Sequence, residues 1–200
     1  MKTRIADIIR GHDRFEIMTH EGPDEDAVGS SRALAFALIA LGKSVRLIYP
    51  TPIPDTLLFT PEPKNDKGIS PQISIMVDVS DRKLLAGVTP QGELVVVDHH
   101  RTKAEDGIVS WIDPGKSSAS EMVYELIREL GTEITPAMAS NLYMGLFGDT
   151  GGFMHSNTTA KVFKTAYDLV RAGADPNSIA YRLKKTRSLK YYQILCITMD

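Results

Sequence analysis

Short apolar runs that end abruptly in ionisable side chains are the feature of this sequence that most restricts its fold. The clearest run is Leu94–Val97, which contains three valines and leads directly into Asp98, His99 and His100. A run of this length that is rich in β-branched residues indicates a strand buried within a sheet. In an open α/β sheet the ligand crevice lies outside the carboxyl ends of the strands. The Asp-His-His triplet is therefore predicted to face a ligand site.

Two further apolar runs end in the same way. Phe15–Thr19 is followed by His20, and Ile73–Val77 is followed by Asp78. Because the carboxyl ends of parallel strands lie along one edge of a sheet, these side chains are expected to meet the Asp-His-His triplet there.

Strands and helices are predicted to alternate along the chain, which is typical of an α/β fold. The predicted strands are 15–19, 44–49, 73–77, 94–97 and an edge strand at 108–112. The predicted helices are 3–11, a helix that is opened by the loop at 21–30 and runs to about Leu41, and 82–86, 118–130, 136–147, 158–172, 176–183 and 188–200. Ser118 and Glu121 have the spacing of a capping box, and Pro136 stands where proline is favoured at a helix start. We therefore predict a mostly parallel sheet with helices on both faces.

The composition is that of a globular protein of about one to one and a half domains. The 200 residues are 42% hydrophobic and 24% charged, and the formal net charge is −2. This charge gives no overall attraction to nucleic acid or to an anionic membrane, so any polyanion must be bound locally. The single cysteine, Cys196, allows no internal disulfide and fits a reducing compartment. Since neither a signal sequence nor a membrane-spanning apolar run is present, we predict a cytoplasmic location.

A set of acids and imidazoles at the predicted sheet edge has the composition of a site for two metal ions. Four carboxylates would balance the charge of two divalent cations, and each of two imidazoles would supply a neutral nitrogen ligand. Oxygen-rich ligation with imidazole and no thiolate favours Mn²⁺ or Mg²⁺ over a structural Zn²⁺. Two such ions about 3.5–4 Å apart form the usual clamp for in-line displacement at phosphorus. The predicted ligands are His20, Asp24, Asp26, Asp78, His99 and Asp149.

Each predicted ligand also has a simpler structural explanation. Asp24 and Asp26 could stabilise the N-terminus of the helix that follows them. Asp78 could cap a turn, and Asp149 could be an ordinary residue of a glycine-rich turn. His155 is expected to be a surface or loop residue that could lie near the site, but no role in binding is assigned to it. The convergence of the predicted ligands on one sheet edge favours the metal site.

The motifs formed by these residues resemble those of the DHH phosphoesterase superfamily. The matching segments are residues 20–30 for the first motif, Asp78 for the second, Val97–His100 for the third and Gly148–Phe153 for the fourth. They occur in the family's order and together span nearly the whole chain. Arg101 and Ser118–Leu126 further resemble the branch of nano-RNases and 3′-phosphoadenosine-5′-phosphate phosphatases. The resemblance implies a Rossmann-like DHH catalytic domain.

The resemblance also implies a role for each site residue. One ion would be held by His20, Asp24 and Asp78, and a second by Asp26, Asp78, His99 and Asp149, with Asp78 bridging the two. A hydroxide between the ions would be the nucleophile, because two cations lower the pKa of bound water. Asp98 would orient a histidine, His100 would contact the reacting phosphate, and Arg101 would help to stabilise the developing charge. Two Mn²⁺ ions are expected, with Mg²⁺ or Co²⁺ as alternatives.

Two features depart from the family pattern. Many members have glycine between the two acids of the first motif, where this chain has Glu25 and an additional negative charge. This branch also has a second, substrate-binding domain with a Gly-Gly-Gly-His-type motif, which this sequence lacks. We therefore expect a DHH catalytic domain at residues 1–185 and the start of a linker helix at residues 186–200, with the second domain absent from this chain. Near this boundary a solvated helix face is expected to carry Arg182, Lys184, Lys185, Arg187 and Lys190.

These features predict a metal-dependent phosphohydrolase that cleaves short oligoribonucleotides, linear dinucleotides or nucleotide 3′-phosphates. A family II-type inorganic pyrophosphatase shares the four motifs and is the first alternative, but it would require a denser set of lysines and arginines. A non-catalytic nucleotide-binding module is the second alternative. The expected partners are a short nucleotide substrate and a second copy of the chain in a homodimer, with no long nucleic acid and no membrane.

Overall fold

The computed structural model describes residues 1–103, 105–185, 193–194 and 196–198 of the chain. The five strands within these residues are β1 (Arg14–Met18), β2 (Ser44–Ile48), β3 (Ile73–Val77), β4 (Glu93–Asp98) and β5 (Val109–Ile112). They form one sheet in the order β2-β1-β3-β4-β5, in which every neighbouring pair is parallel. The predicted strands, the parallel sheet and the edge position of β5 are therefore confirmed.

The α-helices of the described residues are α1 (Lys2–Gly11), α2 (Glu25–Ala40), α3 (Ala119–Glu129), α4 (Pro136–Asp149), α5 (Ala160–Arg171) and α6 (Pro176–Lys185). The predicted helix at 82–86 is a short 3-10 helix, Arg82–Leu85. The predicted helix at 188–200 and the predicted linker at 186–200 lie largely outside the described residues. None of the helices that the structure describes is long and apolar enough to span a membrane.

The two faces of the sheet are covered unequally. One face contributes Phe15 and Ile75 to the main core, to which all six of the described α-helices also contribute buried side chains. The opposite face presents Met76 and Val96 to a smaller core that is closed by Leu85 of the 3-10 helix. Helical segments thus cover both faces, as predicted, but among the described residues the α-helices pack on one face only.

Polar side chains cap the helices that begin at the carboxyl edge of the sheet. Asp24 caps α2, because its carboxylate accepts hydrogen bonds from two backbone amides of the first turn. Ser118 caps α3 by accepting a hydrogen bond from the amide of Glu121. The Glu121 carboxylate accepts hydrogen bonds from the amide and hydroxyl of Ser117, one residue before the position expected for a capping box. Both helix starts are therefore fixed in place beside the strand ends.

Helix α4 is two residues longer than predicted and ends at Asp149. Glycine weakens an isolated helix, and Gly145 and Gly148 are the reason why the sequence predicts an earlier end. In the structure these glycines allow α4 to approach α2 closely. A Cβ atom at Gly145 would lie 2.6 Å from Oδ1 of Asp26, and one at Gly148 would lie 2.6 Å from Cβ of Glu25. Tertiary packing therefore overrides helix propensity and brings Asp149 beside the N-terminus of α2.

Candidate active site

The carboxyl edge of the sheet brings together the ionisable side chains that the sequence predicts to converge. Their ligand atoms form three overlapping groups, and within each group the atoms lie within 4.8 Å of one another. We call His20, Asp24 and Asp78 the outer trio, and Asp26, His99 and Asp149 the inner trio. The third group consists of Asp78, His99 and His100 and joins the other two.

The outer trio follows the ends of β1 and β3 and is partly open to solvent. Nε2 of His20 lies 3.6 Å from Oδ2 of Asp78 and 4.0 Å from Oδ1 of Asp24. Nδ1 of His20 donates to the carbonyl oxygen of Glu21 at 2.8 Å, so Nε2 is the nitrogen that faces the carboxylates. A backbone partner on one ring nitrogen is the usual way in which a protein orients a histidine toward a metal.

The inner trio combines residues from α2, α4 and the segment that follows β4. Nε2 of His99 lies 3.1 Å from Oδ2 of Asp149 and 3.9 Å from Oδ2 of Asp26. The same nitrogen lies 3.4 Å from Oδ1 of Asp78, so the two trios share this carboxylate. Asp78 is consequently the residue about which the whole cluster is arranged.

The carboxylate of Asp26 is completely buried and is bound by the start of α3. The amide of Ala119 donates to Oδ2 at 2.5 Å, and the amide of Ser120 donates to Oδ1 at 2.8 Å. Free amides and the helix dipole make a helix N-terminus favourable for a negative charge. The Ser118–Leu126 segment therefore contributes to the site through its backbone.

The backbone and burial of Asp78 distinguish it from an ordinary turn residue. Its φ is +61°, in the left-handed region that aspartate tolerates better than most residues. Its side chain is 2% exposed, and Oδ1 has no hydrogen-bond partner among the described residues. A buried carboxylate oxygen without a partner is costly, and a cation at this position would satisfy it. The residues present therefore fit a metal ion.

The pKa values of the cluster show an excess of negative charge that draws protons onto the imidazoles. The nearby carboxylate of Asp78 is the largest cause that raises the pKa of His20 to about 9. Burial lowers the pKa of His99, but the close carboxylates of Asp149 and Asp78 outweigh it and raise this pKa to about 11. Burial, followed by the charge of Asp78, raises the pKa of Asp26 well above its usual range. Bound cations would take the place of these protons.

Asp98 orients His100 at the rim of the cluster. Its Oδ1 accepts hydrogen bonds from Nδ1 of His100 at 2.8 Å and from the backbone amide of His100 at 3.1 Å. Burial opposes ionisation of Asp98, but these bonds outweigh it and lower the pKa of Asp98. The bond with Asp98 raises the pKa of His100, whose side chain is 55% exposed. An oriented and accessible imidazolium of this kind can donate a proton to a bound molecule.

A cavity of about 320 Å³ opens onto the outer trio and His100. Its wall also includes Leu84 of the 3-10 helix and the loop residues Ser80 and Thr102, none of which was predicted as a site residue. Arg101 is exposed and does not line this cavity. The structure therefore brings together all of the predicted site residues except Arg101.

Two side chains to which the sequence assigned no role hold the backbone of Asp149. Nδ1 of His155 donates to the carbonyl oxygen of Asp149 at 3.1 Å, and Nδ2 of Asn157 donates to it at 3.2 Å. His155 is exposed, as predicted for a loop residue, but it contacts the site. Gly151 has a φ of +60°, and a Cβ there would lie 2.3 Å from Nε2 of His155. The need for glycine at this position is the sequence signal that points to this contact.

The fold defines this protein as an α/β domain with a carboxylate-rich centre at the edge of a parallel sheet. Centres of this composition bind divalent cations. The model of the DHH family, N-terminal domain, matches residues 14–146. The chain therefore belongs to the DHH family, and the predicted resemblance is confirmed.

Three known proteins show how far the similarity extends. A bifunctional oligoribonuclease and PAP phosphatase, NrnA, of Thermus thermophilus is 32% identical over 182 residues, which are 90% of this chain and 56% of that protein. A probable manganese-dependent inorganic pyrophosphatase of Streptococcus mutans is 28% identical over an alignment 173 residues long, which covers 80% of this chain and 56% of that protein. The crystal structure of an exopolyphosphatase-related protein from Bacteroides fragilis has a TM-score of 0.87 and 25% identity, and the match covers 99% of this chain and 64% of that one. This chain thus spans little more than half the length of the two curated relatives.

Proposed function

We propose that this chain is the catalytic domain of a divalent-metal-dependent phosphohydrolase that acts on short oligoribonucleotides, linear dinucleotides or nucleotide 3′-phosphates. The observation that carries this proposal is the convergence of two carboxylate–imidazole trios on Asp78, whose buried Oδ1 lacks a hydrogen-bond partner among the described residues. The substrate class is supported by the name of the Thermus thermophilus relative, which matches a larger share of this chain than the pyrophosphatase does.

In this proposal the cluster holds two cations. His20, Asp24 and Asp78 would hold one, and Asp26, Asp78, His99 and Asp149 the other. Carboxylate and imidazole ligands suit Mn²⁺, Mg²⁺ or Co²⁺. When bound, such ions neutralise phosphate charge and lower the pKa of water, so that water can attack at neutral pH.

The side chains around the cations have separate tasks. The Asp98 carboxylate holds the His100 ring at the rim of the cavity, and the raised pKa of His100 keeps a proton available for the leaving oxygen. Arg101 stays a prediction: from its exposed position it would contact substrate phosphate only at the rim.

Two other functions are less well supported. Among the described residues, those that line the cavity include neither lysine nor arginine, whereas a pyrophosphatase would need several such side chains around its highly charged substrate. A non-catalytic binding module would have no use for a buried aspartate that holds an imidazolium toward the cavity. The homodimer, the exclusion of long nucleic acid and of membranes, and the cytoplasmic location stay predictions.

The test is Mn²⁺-dependent hydrolysis by the purified chain, with Asp78→Ala as the site variant and Asp7→Ala, on the surface of α1, as its matched control. The substrates are a diribonucleotide, adenosine 3′,5′-bisphosphate and pyrophosphate. We expect turnover of at least one nucleotide and a loss of about 1,000-fold or more in Asp78→Ala, because several kcal/mol of transition-state stabilisation disappear. Asp7→Ala should retain full activity. Preferential cleavage of pyrophosphate, or nucleotide turnover that survives in Asp78→Ala, would contradict the proposal.

A further inference from the structure

The side chain of Asn157 lies between two segments that are distant in sequence. Its Nδ2 donates to the carbonyl oxygen of Ser117 at 3.1 Å and to that of Asp149 at 3.2 Å. Because both partners are backbone acceptors, only the amide nitrogen can make these contacts, and the orientation of the side-chain amide is therefore fixed.

Each of these carbonyl groups belongs to a segment that holds a residue of the inner trio. Asp149 is the last residue of α4 and is itself a member of the trio. Ser117 leads into α3, whose first amides bind the buried carboxylate of Asp26. A single amide group thus connects the backbone behind Asp149 with the backbone that holds Asp26.

The side-chain oxygen of Asn157, Oδ1, shows that asparagine is not the residue that would give this position the highest stability. Oδ1 is buried and has no hydrogen-bond partner among the described residues. An unsatisfied buried acceptor costs free energy, and a side chain that only filled this space would avoid that cost. What asparagine provides here is one nitrogen with two hydrogens that serve two carbonyl groups at once.

The inner trio needs such a connection because its carboxylates repel one another. Asp26 and Asp149 approach the same imidazole nitrogen, and the charges of Asp78 and Asp149 both raise the pKa of Asp26. Before a cation binds, this repulsion favours separation of α4 from the α2–α3 pair. A hydrogen-bonded link between the two backbones opposes that separation.

We propose that Asn157 is a positioning residue that holds Asp149 and Asp26 close enough for the inner trio to bind a divalent cation. Asn157 acts through the backbone of these segments and has no contact of its own with the ion. The inference rests on the proposed two-metal function. It goes further, because it makes the affinity of the inner trio for its cation depend on a side chain that is not itself a ligand.

Asn141 on α4 provides an unusually close control within the same protein. Its Nδ2 also donates to two backbone carbonyl groups, those of Pro61 and Ala137, each at 2.9 Å. Its Oδ1 is likewise buried without a hydrogen-bond partner among the described residues. Neither carbonyl group belongs to a residue of the two trios or leads into the start of α3. Truncation of Asn141 therefore removes the same kind of interaction without disconnecting the inner trio.

The experiment compares Asn157→Ala with Asn141→Ala in the full chain. Binding of Mn²⁺ is measured by the electron paramagnetic resonance signal of free Mn²⁺ during titration, and stability by thermal unfolding in the presence of a chelator.

We expect Asn157→Ala to weaken one of two Mn²⁺ sites by about 10- to 100-fold, the usual effect of removing a group that orients a ligand. Asn141→Ala should bind both ions like the wild type, although it unfolds at a similar or lower temperature than Asn157→Ala. If Asn157→Ala does not fold, Asn157→Ser, which retains one donor, should show a smaller weakening of the same site.

The outcomes separate this inference from the proposed function. If the wild type binds two ions and the Asn157 variants bind them equally well, the positioning role is overturned and the proposed function stands. If Asn141→Ala weakens binding as much as Asn157→Ala, the effect is a general loosening of the fold, and the inference is again overturned. If the wild-type chain binds no divalent cation, the proposed function fails and this inference fails with it.

Discussion

The outer and inner trios have similar chemical groups but are held by different parts of the molecule. In the outer trio, His20 and Asp24 lie in one short segment after β1, and the side chain of Asp24 is 49% exposed. In the inner trio the three residues come from three separate segments, and Asp26 is completely buried against α3. The outer trio is thus a local structure, whereas the inner trio exists only when α2, α3 and α4 are packed together.

Asp24 shows why a structural explanation and a metal-binding explanation need not compete. Its Oδ1 accepts two amide hydrogen bonds as the cap of α2 and lies 4.0 Å from Nε2 of His20. Oδ2 has no such role in the cap. A single carboxylate can therefore fix the start of the helix and still offer an oxygen atom to a cation.

The largest expected effect concerns the two imidazoles in the absence of metal. The pKa of His20 is raised from 6.5 to about 9, so its stabilising contribution is fully present below pH 6.5 and is lost as the pH rises through about 9. His99, with a pKa raised to about 11, loses its contribution over the same range and continues to lose it up to about pH 11. Between pH 6.5 and 9 the loss due to His20 alone should lower the free energy of unfolding of the metal-free protein by on the order of 3 kcal/mol, and the loss due to His99 adds to it.

Urea unfolding in the presence of a chelator, repeated across this pH range, measures the loss. His20→Gln is the matched variant, because it removes the titrating group of the outer trio and leaves that of the inner trio in place. The pH dependence between 6.5 and 9 should become clearly shallower in this variant, whereas the part due to His99 should remain up to about pH 11. A stability that does not change with pH in the wild type, or the same slope below pH 9 in His20→Gln as in the wild type, would contradict the assigned role of His20.

A second prediction tests whether the inner trio depends on close packing of the helices. A Cβ atom at Gly145 would lie 2.1 Å from Oγ of Ser120 and 2.6 Å from Oδ1 of Asp26. Gly145→Ala must therefore separate α4 from its neighbours or move the Asp26 carboxylate, at an expected loss of about 1–3 kcal/mol in the free energy of unfolding. Mn²⁺ titration should show weaker binding at one of two sites.

Gly11→Ala serves as the control for this substitution, because no atom lies within 4 Å of the position that the new Cβ would occupy. It should change the free energy of unfolding by no more than about 0.5 kcal/mol and leave Mn²⁺ binding unchanged. Equal effects of the two alanine substitutions on Mn²⁺ binding would remove the distinction between a locally held and a packing-dependent trio.

The same distinction explains how much of the site could be predicted from the sequence. His20 and Asp78 directly follow apolar runs of recognisable strand character, so the rule about strand ends was sufficient to place them at the sheet edge. For Asp149 the strand rule was of no use, since this residue ends a helix; the glycine-rich segment around it and the motif resemblance identified it instead. Predictions of this kind succeed where the signal lies within a few residues of the position concerned.

The residues that support the inner trio carry no such local signal. Asn157 contacts Ser117, 40 positions earlier in the chain, and the sequence alone does not show that the two meet. Glycine at position 145 is unfavourable for an isolated helix. Its role, which is to allow α4 to pack closely against α2 and α3, depends on residues that are distant in sequence. The fold and the ligand set were therefore largely predictable. The hydrogen bonds and close helix contacts that hold the ligands in position were not.

The smallest expected effect on stability comes from Asp24→Asn, which separates the two roles of this residue. Asparagine caps a helix about as well as aspartate, so the free energy of unfolding should change by less than about 0.5 kcal/mol. The loss of a negatively charged ligand should nevertheless weaken one Mn²⁺ site by about 10-fold or more, and it should be the site that Gly145→Ala leaves intact. Combining the two substitutions therefore should weaken both sites, with additive effects on stability.

If Asp24→Asn instead destabilised the protein as much as Gly145→Ala, the outer trio would be as dependent on the fold as the inner one. If it left both Mn²⁺ affinities unchanged, Asp24 would be a helix cap and nothing more.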